Sequence, residues 1–398
     1  MEPVIKRLII KRFRSFASDT VEFDNPVFLV GKNGAGKTNF ADIFSFVSEA
    51  MSSPLQAVFD RRGGIAAVRN RSGSRSYPPN LGLSITTGPI NATVAGARFA
   101  FEVRALPNYG FEIVREQCEV KQCDGSAYYY DRAKTFHTNA AGLKPSVESS
   151  ALMLPVIGGD ERFALLFKVL SGMRAYSIEP AKLRNMQEPD SGVMLKSDGS
   201  NAASVLQEIL RGNSGNREKL ALLLEAIVPF TKSVKPKRQG NKLTLEFVQE
   251  WASGKRLLFQ AFNMSDGTLR ALGLIMAVFQ TPAPSALIIE EPEATIHPGA
   301  LGAVLDLIRR ACKNMQVIIT TNSPELLDAS WIEDKHLRII TWDKGASHVL
   351  SPDDASREAM KKHLMGAGEL LRSNALNAAP LFKDKNDLAN PGLFEDFE

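Results

Sequence analysis

The chain has 398 residues, of which 44% are hydrophobic and 23% are charged, and its formal net charge is +4. This length is enough for one large α/β domain or for two closely packed lobes. No run approaches the roughly 18 to 20 apolar residues of a membrane span, and Met1-Glu2-Pro3 does not open a signal peptide. We therefore expect a cytoplasmic protein without a membrane partner. Three cysteines lack zinc-ligand spacing and are expected to be free thiols: Cys118, Cys123 and Cys312.

The chain begins with an alternating pair of strands, at 4–13 and 21–23, followed by an apolar strand that runs into a glycine-rich loop. That loop, at 31–38, reads G-x-x-x-x-G-K-T and leads into a helix with apolar residues at helical spacing. This context is typical of a P-loop, whose glycines let backbone N–H groups close around a polyphosphate at a helix N-terminus. Lys37 is expected to reach the β- and γ-phosphates, and Thr38 to ligate Mg²⁺. The predicted nucleotide-binding residues of this segment are Gly31, Asn33, Gly34, Gly36, Lys37, Thr38 and Asn39.

The next part of the chain is rich in β-branched and aromatic runs separated by turn residues. These runs, at 81–87, 92–103, 111–120 and 127–130, predict antiparallel strands, and the polar segment 137–149 predicts a loop. From residue 162 the pattern becomes helical, and two or three strands follow between 233 and 262.

Positive charge is concentrated in three clusters. Their members are Lys6, Arg7, Lys11, Arg12 and Arg14; Arg61, Arg62, Arg69, Arg71 and Arg75; and Lys232, Lys235, Lys237, Arg238 and Lys242. Such clusters either follow a nucleic-acid phosphate backbone or belong to solvated loops and strand faces. The sequence favours neither alternative.

A second strong motif lies at 286–293, where a buried-strand pattern ends in paired carboxylates. This is typical of a Walker B strand. Glu290 is expected to hold Mg²⁺ directly or through water, and Glu291 to polarise the water that attacks the γ-phosphate. Read alone, the motif also fits an ordinary strand that runs into an acidic loop.

Between these motifs, residues 263–270 begin an apolar helix, with Ser265 at or just before its N-cap. Ser265 and Gly267 would expose a hydroxyl and bare N–H groups, which form a good anion site. Because the chain's own phosphates already have a P-loop, this second anion site suggests a second protomer.

The order P-loop, S-D-G-T-L-R, I-I-E-E-P-E-x-x-x-H-P and a strand ending T-T-N-S-P resembles the RecF/SMC-like ABC-type ATPases, in particular the compact bacterial AAA-21-type ATPases. The resemblance implies an α/β P-loop NTPase fold of ABC/SMC-head type, with a mixed sheet core, an antiparallel β lobe and a helical lobe. It places a single head at 1–374, with lobe I at about 1–160 plus 283–350 and lobe II at about 161–282, and a C-terminal tail at 375–398.

The resemblance also implies a head-to-tail homodimer, or a higher homo-oligomer, that forms around ATP and Mg²⁺. Ser265 and Gly267 would contact the γ-phosphate of the other subunit, and Arg14 with Ser15 matches an arginine-serine pair near the nucleotide. His297 is either an interface residue or a structural loop histidine. Arg270 is either a salt-bridge residue or a phosphate contact.

The chain departs from the related pattern at three points. Walker B ends in Glu290-Glu291 rather than Asp-Glu, and Asn322 stands where related proteins commonly carry histidine. Because asparagine cannot exchange a proton at neutral pH, we expect slow hydrolysis. The Q-loop glutamine has no clear match, and Gln56 is a weak candidate.

ATP hydrolysis is the only reaction that the motifs indicate. The resemblance supports the ATPase or sensor subunit of an antiphage system with a separate nuclease or toxin, or alternatively a DNA-repair ATPase that binds DNA directly. A transporter nucleotide-binding subunit is a weaker alternative. The tail carries Leu381-Phe382, Leu393-Phe394 and Phe397 among acidic residues, so it either folds onto a partner or is a frayed end.

Overall fold

The computed structural model describes residues 2–70, 80–108, 110–212, 214–251, 254–381 and 392–395. Arg71 and Arg75 of the second basic cluster, and Phe382 and Phe397 of the tail, lie outside the described residues. The chain forms two compact units. The first comprises 1–173, 334–358 and 376–398, and the second comprises 174–333 and 359–375.

These units are divided differently from the two expected lobes. Residues 283–333, which we expected in the first lobe, belong to the second unit, and 161–173 belong to the first. Within the second unit, the strand at 286–290 lies between strands at 174–176 and 316–321.

The strands, in chain order, are β1 (Ile5–Phe13), β2 (Phe16–Glu22), β3 (Val27–Val30), β4 (Asn80–Thr87), β5 (Val94–Ala105), β6 (Phe111–Gln122), β7 (Ala127–Arg132), β8 (Phe136–Thr138), β9 (Arg174–Tyr176), β10 (Thr231–Gln239), β11 (Lys242–Glu250), β12 (Arg256–Gln260), β13 (Ala286–Glu290), β14 (Gln316–Thr321), β15 (Leu337–Asp343), β16 (Ala346–Pro352) and β17 (Ala378–Ala379).

The helices are α1 (Lys37–Ala50), α2 (Leu55–Asp60), α3 (Ile65–Val68), α4 (Leu154–Ile157), α5 (Ala164–Ser171), α6 (Pro180–Arg184), α7 (Ala202–Arg211), α8 (Ser214–Ile227), α9 (Asp266–Phe279), α10 (Leu301–Ala311), α11 (Asp354–Lys361) and α12 (Ala367–Arg372). None of the helices within the described ranges is long and apolar enough to cross a membrane.

In the first unit the strand order is β8-β7-β6-β5-β4-β1-β2-β16-β15-β3. The run from β8 to β2 is antiparallel, which confirms the predicted antiparallel strands. β16 runs parallel to β2, and β15 runs parallel to β3. All four residues of β3 are buried, as the apolar run predicts for an interior strand.

Aromatic packing fixes the helix that follows β3. Phe40, Phe44 and Phe46 of α1 are fully buried, and Phe40 and Phe46 meet Phe16 and Phe13 edge-to-face at ring-centroid distances of 5.9 and 5.4 Å. Each such side chain stabilises the fold by about 1.5–3 kcal/mol through burial alone. The start of α1 is therefore held firmly against β1 and β2.

In the second unit β13 lies between β14 and β9, parallel to both. A separate antiparallel sheet has the order β10-β11-β12. α9 is buried along most of its length, with packed side chains such as Leu269, Leu272 and Ile275. The predicted mixed α/β organisation is confirmed.

Candidate functional site

The glycine-rich loop between β3 and α1 has a backbone that only glycine adopts without strain. Gly34 has φ +79° and Gly36 has φ +114°, which lie in the region that side chains disfavour. A Cβ on Gly36 would also overlap the Ser347 hydroxyl, and one on Gly31 would overlap the Ile340 carbonyl. The sequence spacing of these glycines therefore follows from local backbone geometry and close packing.

Lys37 is folded back into this loop. Its side chain is only 6% exposed, and its Nζ donates to the carbonyl oxygens of Gly31 at 2.6 Å and Lys32 at 3.3 Å. The neighbouring Thr38 is exposed in the first helical turn. The loop thus holds a buried ammonium beside an open helix start.

The N-terminus of α1 has no side-chain cap and no acidic residue in its first turn. Its first N–H groups carry the positive end of the helix dipole and are not neutralised by their own helix. Together with the glycine backbone and the Lys37 ammonium, this arrangement fits a polyphosphate.

A hydrogen-bonded network of polar side chains supports the glycine-rich loop. Ser347, buried on β16, donates to the Ala35 carbonyl at 2.6 Å, and its Oγ lies at hydrogen-bond distance, 2.7 Å, from the Ser15 hydroxyl. Asn39 Nδ2 also donates to Ser15 Oγ, at 2.9 Å. The fold thus brings Ser15 and Asn39 together. Ser347 carried no sequence signal because it lies over 300 residues away in the chain.

A cavity of about 570 Å³ opens beside Asn39 and Ser15. Its wall includes Trp342, which is 55% exposed and lies opposite Ser347 in the β15–β16 hairpin. The hairpin turns through Lys344 and Gly345, both with positive φ. An exposed tryptophan in a polar cavity next to the P-loop was missed by the sequence reasoning, because a lone tryptophan in a strand is ordinarily a core residue.

Arg14 lies on the same cavity and is committed to an ion pair. Its φ is +51°, and its Nε and Nη2 donate to Asp42 Oδ2 at 2.9 and 2.7 Å. Asn70 Nδ2 donates to the Arg14 carbonyl at 2.9 Å. Arg62 occupies the other oxygen of Asp42, at 2.9 Å, so Asp42 joins two arginines from different basic clusters.

Most residues of the three basic clusters that fall in the described ranges pair with carboxylates of their own unit. The pairs are Arg7 with Glu22, Lys11 with Glu102, Arg14 with Asp42, Arg61 with Glu49, Arg62 with Asp42 and Glu49, Lys232 with Glu225, Lys235 and Lys237 with Glu246, and Lys242 with Glu188. These pairs largely neutralise the clusters locally.

In the second unit, β13 delivers the paired carboxylates. Glu290 is the last strand residue and is partly buried, opposite Thr320 of β14. Glu291 follows with φ +43°, and its N–H donates to the Thr320 carbonyl at 2.9 Å. A non-glycine residue in the left-handed region is strained by about 1–3 kcal/mol, a feature that recurs at functional sites.

Glu293, two residues further on, links this loop to the end of β14. Its Oε1 accepts from the Thr321 hydroxyl at 2.6 Å, and the Asn322 N–H also bonds to the carboxylate. Burial raises the pKa of Glu293 despite these hydrogen bonds, and its Oε2 has no partner among the described residues. Glu293 therefore fixes the backbone that carries Asn322, which is itself exposed.

Ser265 caps α9 as predicted, accepting from the Thr268 N–H at 3.3 Å, and it is exposed. A Cβ on Gly267 would overlap the Thr295 carbonyl, so the first turn of α9 lies directly on the loop that follows β13. Arg270 reinforces that contact, because its Nη1 donates to the Glu291 carbonyl at 3.3 Å. These contacts hold the start of α9, with Ser265 and Gly267, against the loop that follows Glu290 and Glu291.

The weaker candidates have local partners. His297 Nδ1 accepts from the Gly299 N–H at 3.1 Å and caps a single 3-10 turn. Gln56 Nε2 donates to Asp60 Oδ1 at 2.8 Å, within α2. Cys118 and Cys123 are free thiols, as expected.

The glycine-rich loop between a buried strand and an uncapped helix, within a mixed α/β fold, defines a P-loop NTPase. The family model AAA_21, described as "AAA domain, putative AbiEii toxin, Type IV TA system", matches residues 27–135 and 182–328, more than half of the chain. The chain belongs to this family and has the P-loop NTPase fold. No curated protein matches it.

Two solved structures illustrate the shared fold. An SMC head bound to the C-terminal winged-helix domain of ScpA has a TM-score of 0.56 at 14% identity, over 89% of this chain and 99% of that chain. An SMC head with an extended coiled coil from Pyrococcus furiosus, bound to the C-terminal domain of ScpA, has a TM-score of 0.54 at 12% identity, over 91% and 99% of the respective chains. At these identities the likeness concerns the fold, and it confirms the predicted SMC-head class.

Proposed function

We propose that this ATPase binds ATP with Mg²⁺ at its P-loop, dimerises around the nucleotide, hydrolyses it slowly, and thereby regulates a separate effector protein in the cytoplasm. The observation that carries the proposal is the P-loop itself. Its backbone requires glycine at Gly34 and Gly36, it leads into an uncapped helix, and it holds the Lys37 ammonium on two carbonyl groups.

Each residue of the site has a proposed role. Lys37 would exchange its carbonyl partners for phosphate oxygens, which form stronger charge-assisted hydrogen bonds. Thr38 and Glu290 would hold Mg²⁺, which when bound neutralises phosphate charge. Glu291 would orient and polarise the attacking water, and Asn322 would donate to the γ-phosphate without exchanging a proton. That last role is the reason for expecting slow turnover.

The cavity beside the P-loop supports a place for the nucleoside. Trp342 offers an exposed π-face, and base stacking on an aromatic side chain contributes about 1–3 kcal/mol. Trp342 lines the same cavity as Ser15 and Asn39, so its ring lies beside the P-loop. We therefore assign the base to the Trp342 side of the cavity.

The exposed start of α9 supports the dimer. Ser265 presents its hydroxyl at an accessible helix N-terminus, and Gly267 cannot carry a side chain without displacing the carboxylate loop. A γ-phosphate from a second copy would find N–H donors there. In this arrangement each subunit completes the site of the other, so ATP favours the associated state by mass action.

The charge pattern supports a protein as the regulated target rather than DNA. A basic surface binds DNA by neutralising phosphates, but most described residues of the three clusters already face carboxylates of their own unit. The family description names a putative toxin and a type IV toxin–antitoxin system. Within such a system, the partner that we propose for this ATPase is a separately encoded toxin or nuclease. Defence against phage is the setting that we propose.

Solution mass with ATP and Mg²⁺ tests the dimer. We expect Glu291→Gln to bind ATP without turning it over and to reach twice the protomer mass. Adding Ser265→Arg to Glu291→Gln should keep the protein monomeric, because a bulky side chain then covers the helix N-terminus. If Glu291→Gln dimerises equally with and without Ser265→Arg, the assignment of Ser265 to the shared site is wrong.

A further inference from the structure

One face of strands β4, β5 and β6 in the first unit binds a short segment of the chain itself. It holds residues 393–395, close to the C-terminus of the chain. Leu393 is only 4% exposed and fills the space above Gly82, where a Cβ would overlap its Cδ1 atom. A glycine inside a strand weakens the strand and often marks the close approach of another segment, and here it makes room for a leucine side chain.

Gln117 hydrogen-bonds to the main chain of the bound segment. Its Nε2 donates to the Glu395 carbonyl at 2.8 Å, and its Oε1 accepts from the Glu395 N–H at 3.0 Å. Gln117 Nε2 also donates to Asp131 Oδ2 at 2.7 Å, a contact within the sheet that orients the amide independently of the segment. The pair of bonds to Glu395 reproduces with a side chain the two hydrogen bonds that one strand residue offers another, and it selects an extended backbone.

Arg98 contacts the first and third residues of the segment, Leu393 and Glu395. It is 5% exposed, donates through Nη2 to the Leu393 carbonyl, and lies with Nε 3.5 Å from Glu395 Oε1. Its Nη1 is buried without a partner among the described residues. A guanidinium held in such a place needs a carboxylate nearby, since an uncompensated buried charge is strongly destabilising. The acidic residue at the third position of the segment, Glu395, supplies it together with Glu119 of β6.

Arg115 contacts the middle residue of the segment, Phe394. Its guanidinium lies 4.8 Å from the centroid of the Phe394 ring, and Asp131 fixes it by accepting from Nε at 3.0 Å. A cation held over an aromatic face favours phenylalanine at this position over an aliphatic residue. Each of the three residues therefore has its own contact on the sheet.

We infer that this face of β4–β6 is a peptide-binding site for an extended leucine-phenylalanine-glutamate segment, and that the chain's own residues 393–395 occupy it. The tail's leucine is thus engaged by its own chain rather than offered to a partner. An external peptide with the same three residues would compete with the tail. Covalent attachment gives the tail an effective concentration on the order of millimolar, so it normally wins.

Fluorescence anisotropy with a labelled peptide of residues 390–398 tests the site. The host is the full chain carrying Leu393→Asp, which empties the space above Gly82. We expect this variant to bind the peptide, and the wild-type chain to bind it at least about tenfold more weakly because its own tail competes. Adding Gln117→Ala to the Leu393→Asp chain should weaken peptide binding by about tenfold through the loss of two hydrogen bonds. A labelled peptide with aspartate in place of leucine is the matched control and should not bind.

Amide hydrogen exchange supplies a second measurement that needs no tail variant. In the wild-type chain the Glu395 amide should exchange slowly, and Gln117→Ala should restore the rate of an unstructured peptide. The inference is overturned if the Leu393→Asp chain fails to bind the peptide, if Gln117→Ala leaves its affinity unchanged, or if the wild-type Glu395 amide exchanges freely.

Discussion

Replacing Lys37 with methionine separates the role of this side chain in folding from its proposed role in ATP binding. Lys37→Met keeps the length of the side chain and removes the ammonium that now contacts the Gly31 and Lys32 carbonyls. Each charge-assisted hydrogen bond stabilises by about 1.5–3 kcal/mol. Burying the ammonium costs several kcal/mol. Because the two effects oppose each other, the melting temperature without nucleotide should change little.

The effect of ATP should be much larger. A ligand at 100 times its Kd stabilises the native state by about 2.7 kcal/mol, which for a chain of 398 residues raises Tm by about 3 °C. Losing the charge-assisted bonds from Lys37 to phosphate should weaken ATP binding at least about 100-fold. At the same ATP concentration the stabilisation then falls to about 0.4 kcal/mol, and the rise in Tm almost disappears.

Thermal melts with and without ATP and Mg²⁺, together with calorimetric titration, measure both quantities. Lys32→Met is the matched control, because it removes one positive charge from the same loop at an exposed position. The control should keep most of the ATP-dependent rise in Tm. If Lys37→Met shows the same rise as the wild type, Lys37 does not bind the phosphates and the P-loop assignment fails.

Two further predictions concern residues that the tertiary structure brought into the site. Trp342→Ala should weaken ATP binding about 5- to 100-fold by calorimetry, since a stacked base contributes about 1–3 kcal/mol. The control is Trp331→Phe in the second unit, which should leave the Kd unchanged. Equal Kd values for both variants would show that the base does not bind in this cavity. Burial raises the pKa of Glu293, so the stability that this group contributes is present below its unfolded value near 4.5 and is lost as pH rises through the folded value. Glu293→Gln should therefore have a higher Tm than the wild type at pH 7, and the difference should vanish near pH 4; lower stability of the variant at pH 7 would contradict this.

Local patterns predicted much of the fold. The antiparallel strands expected at 92–103, 111–120 and 127–130 appear as β5, β6 and β7 with ends that differ by about two residues. The loop expected at 137–149 contains one short strand, β8, at its start. Runs of β-branched and aromatic residues between turn signals carry this information, because alternation along a strand depends only on the residues of that strand.

The division into units was less predictable. The resemblance placed residues 283–333 in the first lobe, whereas the compact units group them with the second, where β13 pairs with β9 and β14. A parallel strand pair brings together segments that are far apart in sequence, and nothing in a short apolar run such as 286–290 names its partner.

The P-loop and the serine cap of α9 are properties of the sequence itself. Gly34 and Gly36 must be glycines because of their own φ angles, and Ser265 caps a helix that begins at the next residue. Such features involve only a few consecutive residues, so a motif written in one dimension contains them fully. The same holds for the paired carboxylates at the end of β13.

Only the tertiary structure decided which distant side chains support or complete these motifs. Ser347 and Trp342 reach the first helix through a hairpin some 300 residues later, and Gly82 and Gln117 meet a segment near the C-terminus. Each is an ordinary strand residue when read alone, because the contacts that give it a role are long-range and leave no periodic or local signal. The sequence determined the chemistry of the loop and of the carboxylates, and the packing of the sheet determined what surrounds them.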